Sequence, residues 1–202
     1  RQVYGADVAG FSIDAAEHST ITSWGRENEY EAYRNMIKQF GKPGKYFAVV
    51  SDSFDIMKAV TEGWGGVLKQ EVISCGGTLV VRRDSGRPGE IVRDVILALM
   101  DAFGCEFNSL GYKVLPPYIR VIQGDGINLE SIEEILEELK RNRISAENVA
   151  FGMGGALHMG VVRDTYGWAM KCSAICVNGT WQDVVKDPIT DQGKKSKGGR
   201  LA

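Results

Sequence analysis

Long apolar runs are missing from this sequence of 202 residues. No stretch reaches the roughly 18 consecutive apolar residues that a membrane-spanning helix needs. Residues 1–10 also lack the apolar core of a secretory signal peptide. We therefore expect no membrane partner.

Cysteine and histidine are scarce. The four cysteines form no CxxC pair, and the two histidines lie far apart in the sequence. A structural zinc site needs ligands at short spacing, and a disulfide framework needs more cysteines in a shorter chain, so we expect neither. We interpret the cysteines as free thiols in a reducing compartment, which predicts a cytoplasmic protein.

An excess of basic charge is also missing, since 24 Lys and Arg residues face 26 Asp and Glu residues, for a formal net charge of −2. General nucleic-acid binding relies on a basic surface that contacts phosphates, so we expect no nucleic-acid partner. Hydrophobic residues make up 44% of the chain and charged residues 25%, which is typical of a folded globular domain.

Apolar, β-branched runs alternate with helical periodicity along the chain. The runs predict buried strands at 46–50, 78–81, 118–122, 149–151 and 174–177. Apolar residues at helical spacing predict helices at 27–40, 53–64, 90–103 and 129–141. This alternation indicates βαβ crossovers and a parallel sheet, covered on both faces because the strands are continuously apolar.

Each of the first four predicted strands is followed by a short polar or glycine-rich motif: Ser51-Asp52-Ser53, Arg82 to Gly86, Gln123 to Gly126, and Gly152 to Gly155. The carboxyl ends of parallel strands meet at one edge of a sheet, where α/β proteins bind ligands. Glycines admit phosphate, and aspartates accept from sugar hydroxyls or hold Mg²⁺. Together the motifs predict a site for a phosphorylated sugar with a divalent metal.

Each motif also has a simpler interpretation. Asp52 or Ser53 could be only a helix N-cap, and residues 124–126 could be a plain turn. The motif at 152–155 does not match the dinucleotide fingerprint, because Leu157 stands where a glycine is needed. Four such motifs at successive strand ends are nevertheless hard to explain as turns alone.

His18 and the late basic residues are further candidates. His18 is either a hydrogen-bonded loop histidine or a proton shuttle or nucleophile tuned by Glu17 or Asp52. Basic residues gather late in the chain and form either a solvated face or a phosphate-facing patch. They are Lys171, Lys186, Lys194, Lys195, Lys197 and Arg200.

Several long motifs closely resemble the nicotinamide phosphoribosyltransferase family across nearly the whole chain. They are AAEHSTIT at 15–22, VVSDS at 49–53, RxDSG at 82–86, GYKVLPPY at 111–118, RVIQGDG at 120–126, AFGxGG at 150–155 and KDP at 186–188. The resemblance implies synthesis of nicotinamide mononucleotide and pyrophosphate from nicotinamide and phosphoribosyl pyrophosphate. It also implies Mg²⁺, ATP as co-substrate through a phosphorylated histidine, and a homodimer with its active sites at the subunit interface.

The resemblance implies a role for individual residues. His18 matches the phosphorylated histidine, with Glu17 and Asp52 as neighbours that orient it. Arg82 matches the arginine that stacks on nicotinamide, and Asp84 the acid facing the ribose and ring site, with Asp84 and Asp52 nearest the Mg²⁺. The remaining matches are a ribose-binding turn at Gly124 and Asp125, a 5′-phosphate group at Gly154, Gly155 and Arg163, and phosphate-reaching lysines at Lys171, Lys186 and Lys194.

The resemblance further implies an α/β fold of the type II phosphoribosyltransferase class, an irregular (β/α) barrel with parallel strands. A closed (β/α)₈ barrel takes about 250 residues, so we expect only part of one here. We expect a partial barrel domain at 1–190 and a basic, Gly/Lys-rich tail or loop at 191–202.

Three other interpretations stay open. The first is a non-catalytic, phosphate-binding piece, because the family's N-terminal region, with the aromatic that sandwiches nicotinamide, has no counterpart in this sequence. The second is nicotinate in place of nicotinamide, because the aspartate that favours the amide also has no counterpart. The third is a different sugar-phosphate enzyme on a barrel, such as an isomerase or aldolase, although no catalytic Lys or Glu stands at a strand end.

Overall fold

The computed structural model describes residues 5, 10–84, 86–154, 163–166 and 169–200. In this part of the chain the strands and helices are, in order, β1 (Asp14–Ala15), α1 (His18–Thr22), α2 (Glu29–Phe40), β2 (Tyr46–Val50), α3 (Ile56–Lys58), α4 (Lys69–Ser74), β3 (Thr78–Arg83), α5 (Pro88–Phe103), β4 (Glu106–Phe107), β5 (Lys113–Val114), β6 (Ile119–Gln123), α6 (Leu129–Arg141), β7 (Val149–Phe151), β8 (Ala174–Val177) and β9 (Thr180–Asp183). A π-helix, Ala59–Val67, joins α3 to α4, and short 3₁₀ turns occupy Arg26–Asn28, Ala146–Asn148, Arg163–Tyr166 and Gln192–Lys194.

Five parallel strands form the main sheet in the order β1-β2-β3-β6-β7. Each strand lies beside the sheet strand that precedes it along the chain. Because crossovers between parallel strands are right-handed as a rule, this order is expected to place the connecting helices on one face. This arrangement is typical of an opened (β/α) barrel. The described residues form no closed barrel, and the α/β class with a partial barrel predicted from the sequence is confirmed.

The core lies between the sheet and its helices. Phe47, Val49, Leu79, Val81 and Val121 point from the strands into it and are fully buried. Along β6 burial alternates, because Arg120 and Ile122 on the other face are only half-buried. The predicted cover on both faces is therefore only partial on the second face of this strand.

Helix boundaries follow the sequence closely where capping signals are present. Helix α5 begins with Pro88 and ends before Gly104, whose positive φ of 84° suits glycine. Helix α6 spans the predicted 129–141 and begins with a capping box between Asn128 and Ser131.

The predicted helix at 53–64 differs from the observed structure. It begins only at Ile56 and continues as the π-helix, which contains Gly63, Gly65 and Gly66. A Cβ on Gly65 would lie 2.6 Å from the Cβ of Ala102 in α5. The glycines thus let this segment approach its neighbours closely, which apolar periodicity does not reveal.

Strand β8 also differs from its prediction. It pairs antiparallel with β9 in a separate hairpin, and its residues are half-buried or exposed. A second small hairpin joins β4 to β5. In the described ranges no helix is long and apolar enough to cross a membrane.

Candidate functional site

The polar strand-end motifs meet at one edge of the sheet. Asp52 follows β2, Asp84 follows β3, Asp125 follows β6 and Gly154 follows β7, and all four strands are parallel. Arg82 lies within β3 near the same end. The shared edge predicted from the sequence is confirmed by the sheet topology.

A cavity of about 640 Å³ opens at this edge. Eight residues proposed from the sequence line it: Glu17, His18, Arg82, Asp84, Asp125, Lys171, Lys186 and Lys194. Lys195 and Lys197 add two further cations to the lining. The cavity therefore combines a histidine, three carboxylates and a majority of positive charge.

His18 lies at the centre of a three-residue group on the cavity wall. Its Nε2 is 3.1 Å from Oδ1 of Asp52 and 2.8 Å from Nζ of Lys186. The other Asp52 oxygen, Oδ2, accepts a hydrogen bond from the main-chain N–H of Asp84 at 3.0 Å. Asp52 is 1% exposed and so ties His18 to the end of β3 from beneath the cavity.

Lys186 reaches His18 from the late part of the chain. Its side chain is almost fully buried, and its main chain exchanges hydrogen bonds with Ser196. The following residues, Asp187 and Ile189, donate main-chain bonds to Ser53 and Phe54. Burial, aided by the positive charges of Lys194 and Lys171, lowers the pKa of Lys186 against the opposing pull of nearby carboxylates.

Glu17 caps the helix that carries His18. Its carboxylate accepts from the main-chain N–H of Ser19 at 2.9 Å and from the Ser19 hydroxyl. Partial burial raises the pKa of Glu17, but the Ser19 hydrogen bonds and the nearby His18 outweigh it and bring the pKa below its usual value. Glu17 therefore stays ionised and fixes the backbone on which His18 is mounted.

Arg82 and Asp84 form a bidentate ion pair at the cavity. Nε of Arg82 lies 3.1 Å from Oδ1 of Asp84, and Nη2 lies 2.6 Å from Oδ2. A Cβ on Gly124 would lie only 2.7 Å from that Oδ1 and 3.1 Å from Nε. A side chain at position 124 would therefore displace the Arg82–Asp84 pair, so glycine leaves the pair undisturbed.

Asp125 and Lys194 form a second ion pair in the cavity lining. Nζ of Lys194 lies 2.5 Å from Oδ2 of Asp125 and donates to the main-chain oxygen of Asp84 at 2.8 Å. Lys194 thus joins the ends of β3 and β6. It belongs to the segment predicted as a tail from 191, and that boundary stays a prediction.

The predicted 5′-phosphate group is described only in part. Gly154 follows β7 at the site edge of the sheet but does not line the cavity. Gly155 lies outside the described residues, and of Arg163, which begins a 3₁₀ turn, only the backbone is described. The phosphate role of these three residues stays a prediction.

Comparison with known proteins supplies the family. The model of the nicotinate phosphoribosyltransferase (NAPRTase) family matches residues 2–202. The chain belongs to this family. Its open α/β sheet is consistent with the type II phosphoribosyltransferase-like fold.

Curated relatives within this similarity are named nicotinamide phosphoribosyltransferase. The protein of Xanthomonas campestris pv. campestris (strain 8004) is 58% identical over 201 residues, covering 100% of this chain and 43% of its own length. The Mycoplasma pneumoniae protein is 37% identical over 96% of this chain and 45% of its own length. The Acinetobacter baylyi protein is 33% identical over 99% and 43%. The chain thus spans less than half the length of these relatives.

The carboxylates of this phosphoribosyltransferase-family site differ in their fitness for Mg²⁺, which prefers one or two carboxylates together with water and substrate phosphates. Asp84 and Asp125 line the cavity and fit such a role. Asp52 does not line the cavity and is only 1% exposed, so an ion in the cavity could not reach it directly. Asp52 is therefore better placed to support His18 and Asp84 than to bind the ion, and its predicted metal role is left untested.

Sequence reasoning missed several residues of the site. Ser196 holds Lys186, and Gln123 lies under the Asp125 turn. Lys195 and Lys197 were noticed only as part of a basic cluster. Ser196 lies in a stretch with no apolar pattern, and Gln123 begins a predicted strand-end motif in which only Gly124 and Asp125 are given roles, so the sequence assigns neither residue a function.

Proposed function

We propose that this chain forms the phosphoribosyl-transfer site of an enzyme of NAD synthesis, which makes nicotinamide mononucleotide and pyrophosphate from nicotinamide and phosphoribosyl pyrophosphate. One observation carries the proposal: the His18–Asp52–Lys186 group, the Arg82–Asp84 pair and the Asp125–Lys194 pair all meet at one lysine-rich cavity. The names of the relatives supply the base, because each of the three described above is called a nicotinamide phosphoribosyltransferase.

The chemistry of the cavity suits phosphoribosyl transfer. The bond between ribose C1 and pyrophosphate breaks as the ring nitrogen of the base attacks, so positive charge builds on the ribose and negative charge on the leaving group. Lys171, Lys186 and Lys194 supply positive charge for the pyrophosphate, and such prearranged charges are an effective form of catalysis. The carboxylate of Asp125 accepts from ribose hydroxyls. Arg82, held flat by Asp84, presents a guanidinium face on which an aromatic base can stack.

Mg²⁺ is the metal that we propose for this site, with Asp84 and Asp125 as its candidate protein ligands. When bound, the ion would neutralise charge on the pyrophosphate. The protein residues position the substrates around it, since transfer gains mainly from orientation and electrostatic stabilisation.

ATP is a proposed co-substrate that acts through His18. The γ-phosphoryl group of ATP would pass to a ring nitrogen of His18, releasing ADP, and water would later remove it as inorganic phosphate. Other phosphorylated side chains carry about −1.5 to −2 charges, and a similar charge on His18 would be held by the adjacent Lys186. Asp52 would orient the ring before transfer.

The setting of the enzyme follows as part of the proposal. We propose a cytoplasmic homodimer, because the resemblance implies active sites completed at a subunit interface. The two candidate bases are nicotinamide and nicotinate, because the relatives are named for nicotinamide whereas the matching family model is described for nicotinate.

The test uses the protein expressed from its whole gene. We expect nicotinamide mononucleotide and pyrophosphate to form with nicotinamide, phosphoribosyl pyrophosphate and Mg²⁺, faster with ATP and slower with nicotinate. In His18→Ala we expect ATP hydrolysis to uncouple from transfer and ATP-stimulated turnover to fall at least tenfold. Unchanged coupling would remove His18 from its role. Absence of mononucleotide from either base, in protein that melts cooperatively, would refute the function.

A further inference from the structure

Gln123 lies beneath the Asp125 turn and outside the cavity lining. It is 1% exposed, and its Nε2 donates to the main-chain oxygen of Asp125 at 2.8 Å. Its Oε1 accepts from Nε of Arg83 at 2.6 Å, and its main-chain oxygen accepts from the N–H of Gly152 at 2.8 Å. The side-chain amide of Gln123 thus connects the end of β3 to the turn after β6, and its main-chain oxygen reaches the end of β7.

Arg83 determines which way this amide points. A guanidinium carries only donors, so Gln123 must turn its oxygen to Arg83 and its NH₂ group to the turn. Arg83 is fully buried; its Nη2 lies 3.4 Å from the main-chain oxygen of Gly86, and Nη1 meets no acceptor among the described residues. Burial lowers the pKa of Arg83 to about 10, against the opposing effect of nearby carboxylates, so the group stays charged at neutral pH.

The turn above Gln123 has little freedom to move without changing the site. Gly124 lies against the Arg82–Asp84 pair, where no Cβ fits, and Asp125 is held by Lys194 on the cavity side. The side chain of Asp125 is 41% exposed, so the contact with Lys194 alone is screened by solvent. The bond from Gln123, a residue that is itself buried, is the more persistent restraint on this turn.

We propose that Gln123, oriented by Arg83, is a positioning residue that sets the Gly124–Asp125 turn for the ribose of phosphoribosyl pyrophosphate. The inference rests on the proposed function, because it names the substrate that this turn serves. It assigns to Gln123 no contact with substrate: the amide acts through the main chain of Asp125.

The first experiment is Gln123→Glu in the protein expressed from its whole gene. Glutamate keeps the size of the side chain and gives Arg83 a charged acceptor, so we expect a melting temperature equal to or above that of the unaltered protein. An ionised carboxylate cannot donate to the Asp125 carbonyl and repels it. We expect the KM for phosphoribosyl pyrophosphate to rise about tenfold and the KM for nicotinamide to change less than threefold.

Two further variants complete the design. Gln70→Glu places the same change on an exposed position of α4 and should leave both KM values unchanged. Arg83→Met keeps Gln123 but removes the donor that orients it, so the KM for phosphoribosyl pyrophosphate should rise about threefold, while Arg87→Met at an exposed neighbour should not change it. Arg83→Met decides the question if Gln123→Glu does not fold.

Binding separates this inference from the proposed function. The affinity for phosphoribosyl pyrophosphate with Mg²⁺ is measured by calorimetry in every variant. If the unaltered protein binds this substrate without forming product, the proposed function is refuted. The ratio of the affinities of Gln123→Glu and the unaltered protein then still tests the positioning role of Gln123. If the protein is active and Gln123→Glu binds as tightly as before, or loses stability and both substrates alike, the positioning role is overturned. Absence of binding by the unaltered protein overturns both.

Discussion

A line of buried side chains runs from the start of α2 to the strand end that carries Asp52. The Tyr33 hydroxyl donates to Oε1 of Glu29 at 2.8 Å, and its ring stacks on Trp64 at 4.5 Å. Nε1 of Trp64 donates to the hydroxyl of Ser51, the residue before Asp52, at 3.0 Å. Burial, together with the charge of Glu29, raises the pKa of Tyr33 well above its usual value. This packing supports the end of β2, from which Asp52 reaches His18.

Glu29 makes the stability of this region depend on pH. Burial raises the pKa of Glu29 from 4.5 to about 7, although Tyr33 and Arg26 oppose the shift. The folded protein therefore holds this proton more tightly than the unfolded chain, and stability is lost as pH rises from about 4.5 through about 7. In Glu29→Gln, which keeps the acceptor for Tyr33, we expect a higher free energy of unfolding, by about 3 kcal/mol at pH 8 and much less at pH 5.

Denaturant unfolding at both pH values measures this difference. Glu27→Gln, at an exposed position nearby, serves as the control and should give the same small change at pH 5 and pH 8. If the free energies of unfolding of Glu29→Gln and the unaltered protein differ by the same amount at every pH in this range, Glu29 is ionised in the folded state without cost.

The sequence predicts a site residue where a charged side chain stands at the end of a predicted strand. Arg82, Asp84 and Asp125 each stand at the end of an apolar run, and parallel topology alone brings such ends together. Gln123 gives no such signal, because its role depends on a buried Arg83 that arrives from the neighbouring strand. The contact of Lys186 with His18 spans 168 residues, so nothing in local sequence could predict it.

Among the helices, α6 and the π-helix show when local sequence decides a boundary. Helix α6 has a strong apolar stripe, a capping pair at its start and basic residues in its last turn, and its predicted bounds are confirmed. The 53–64 prediction failed because the packing of Gly65 against α5 favours a different helix. The spacing of apolar residues predicts which face of a helix is buried. Close backbone contact depends on neighbouring elements, so local sequence does not reveal it.

The capping box of α6 can be tested directly. The side chain of Asn128 accepts from the N–H of Ser131 at 2.8 Å, and the Ser131 hydroxyl accepts from the N–H of Asn128 at 3.0 Å. Asn128→Ala removes one of these bonds, and we expect the free energy of unfolding to fall by about 1 kcal/mol. Glu133→Ala, at an exposed position within the same helix, should change it far less. Equal urea midpoints for the two variants would contradict a stabilising cap.

Charge is distributed unevenly over the protein. The chain carries a formal net charge of −2, yet the cavity lining holds five lysines and Arg82 against three carboxylates. Three of the lysines come from a stretch of four residues, 194–197, close to the end of the described chain. The overall balance of charge predicts no general nucleic-acid surface, but it conceals a local field suited to a small, highly charged anion.

This local field predicts a salt dependence that Lys197 should control in part. Lys197 lines the cavity and is exposed, so its attraction for a pyrophosphate group is screened as the Debye length shortens from about 14 Å at 50 mM salt to about 6 Å at 300 mM. We expect the affinity for phosphoribosyl pyrophosphate, measured by calorimetry at constant Mg²⁺, to fall several-fold over this range of sodium chloride. Lys197→Met should bind about threefold more weakly at 50 mM and almost as well as the unaltered protein at 300 mM. Lys38→Met removes a similar charge from an exposed position on α2 and should follow the unaltered protein at both concentrations. Were Lys197→Met to follow it as well, the field would have to come from the other four cavity lysines and Arg82.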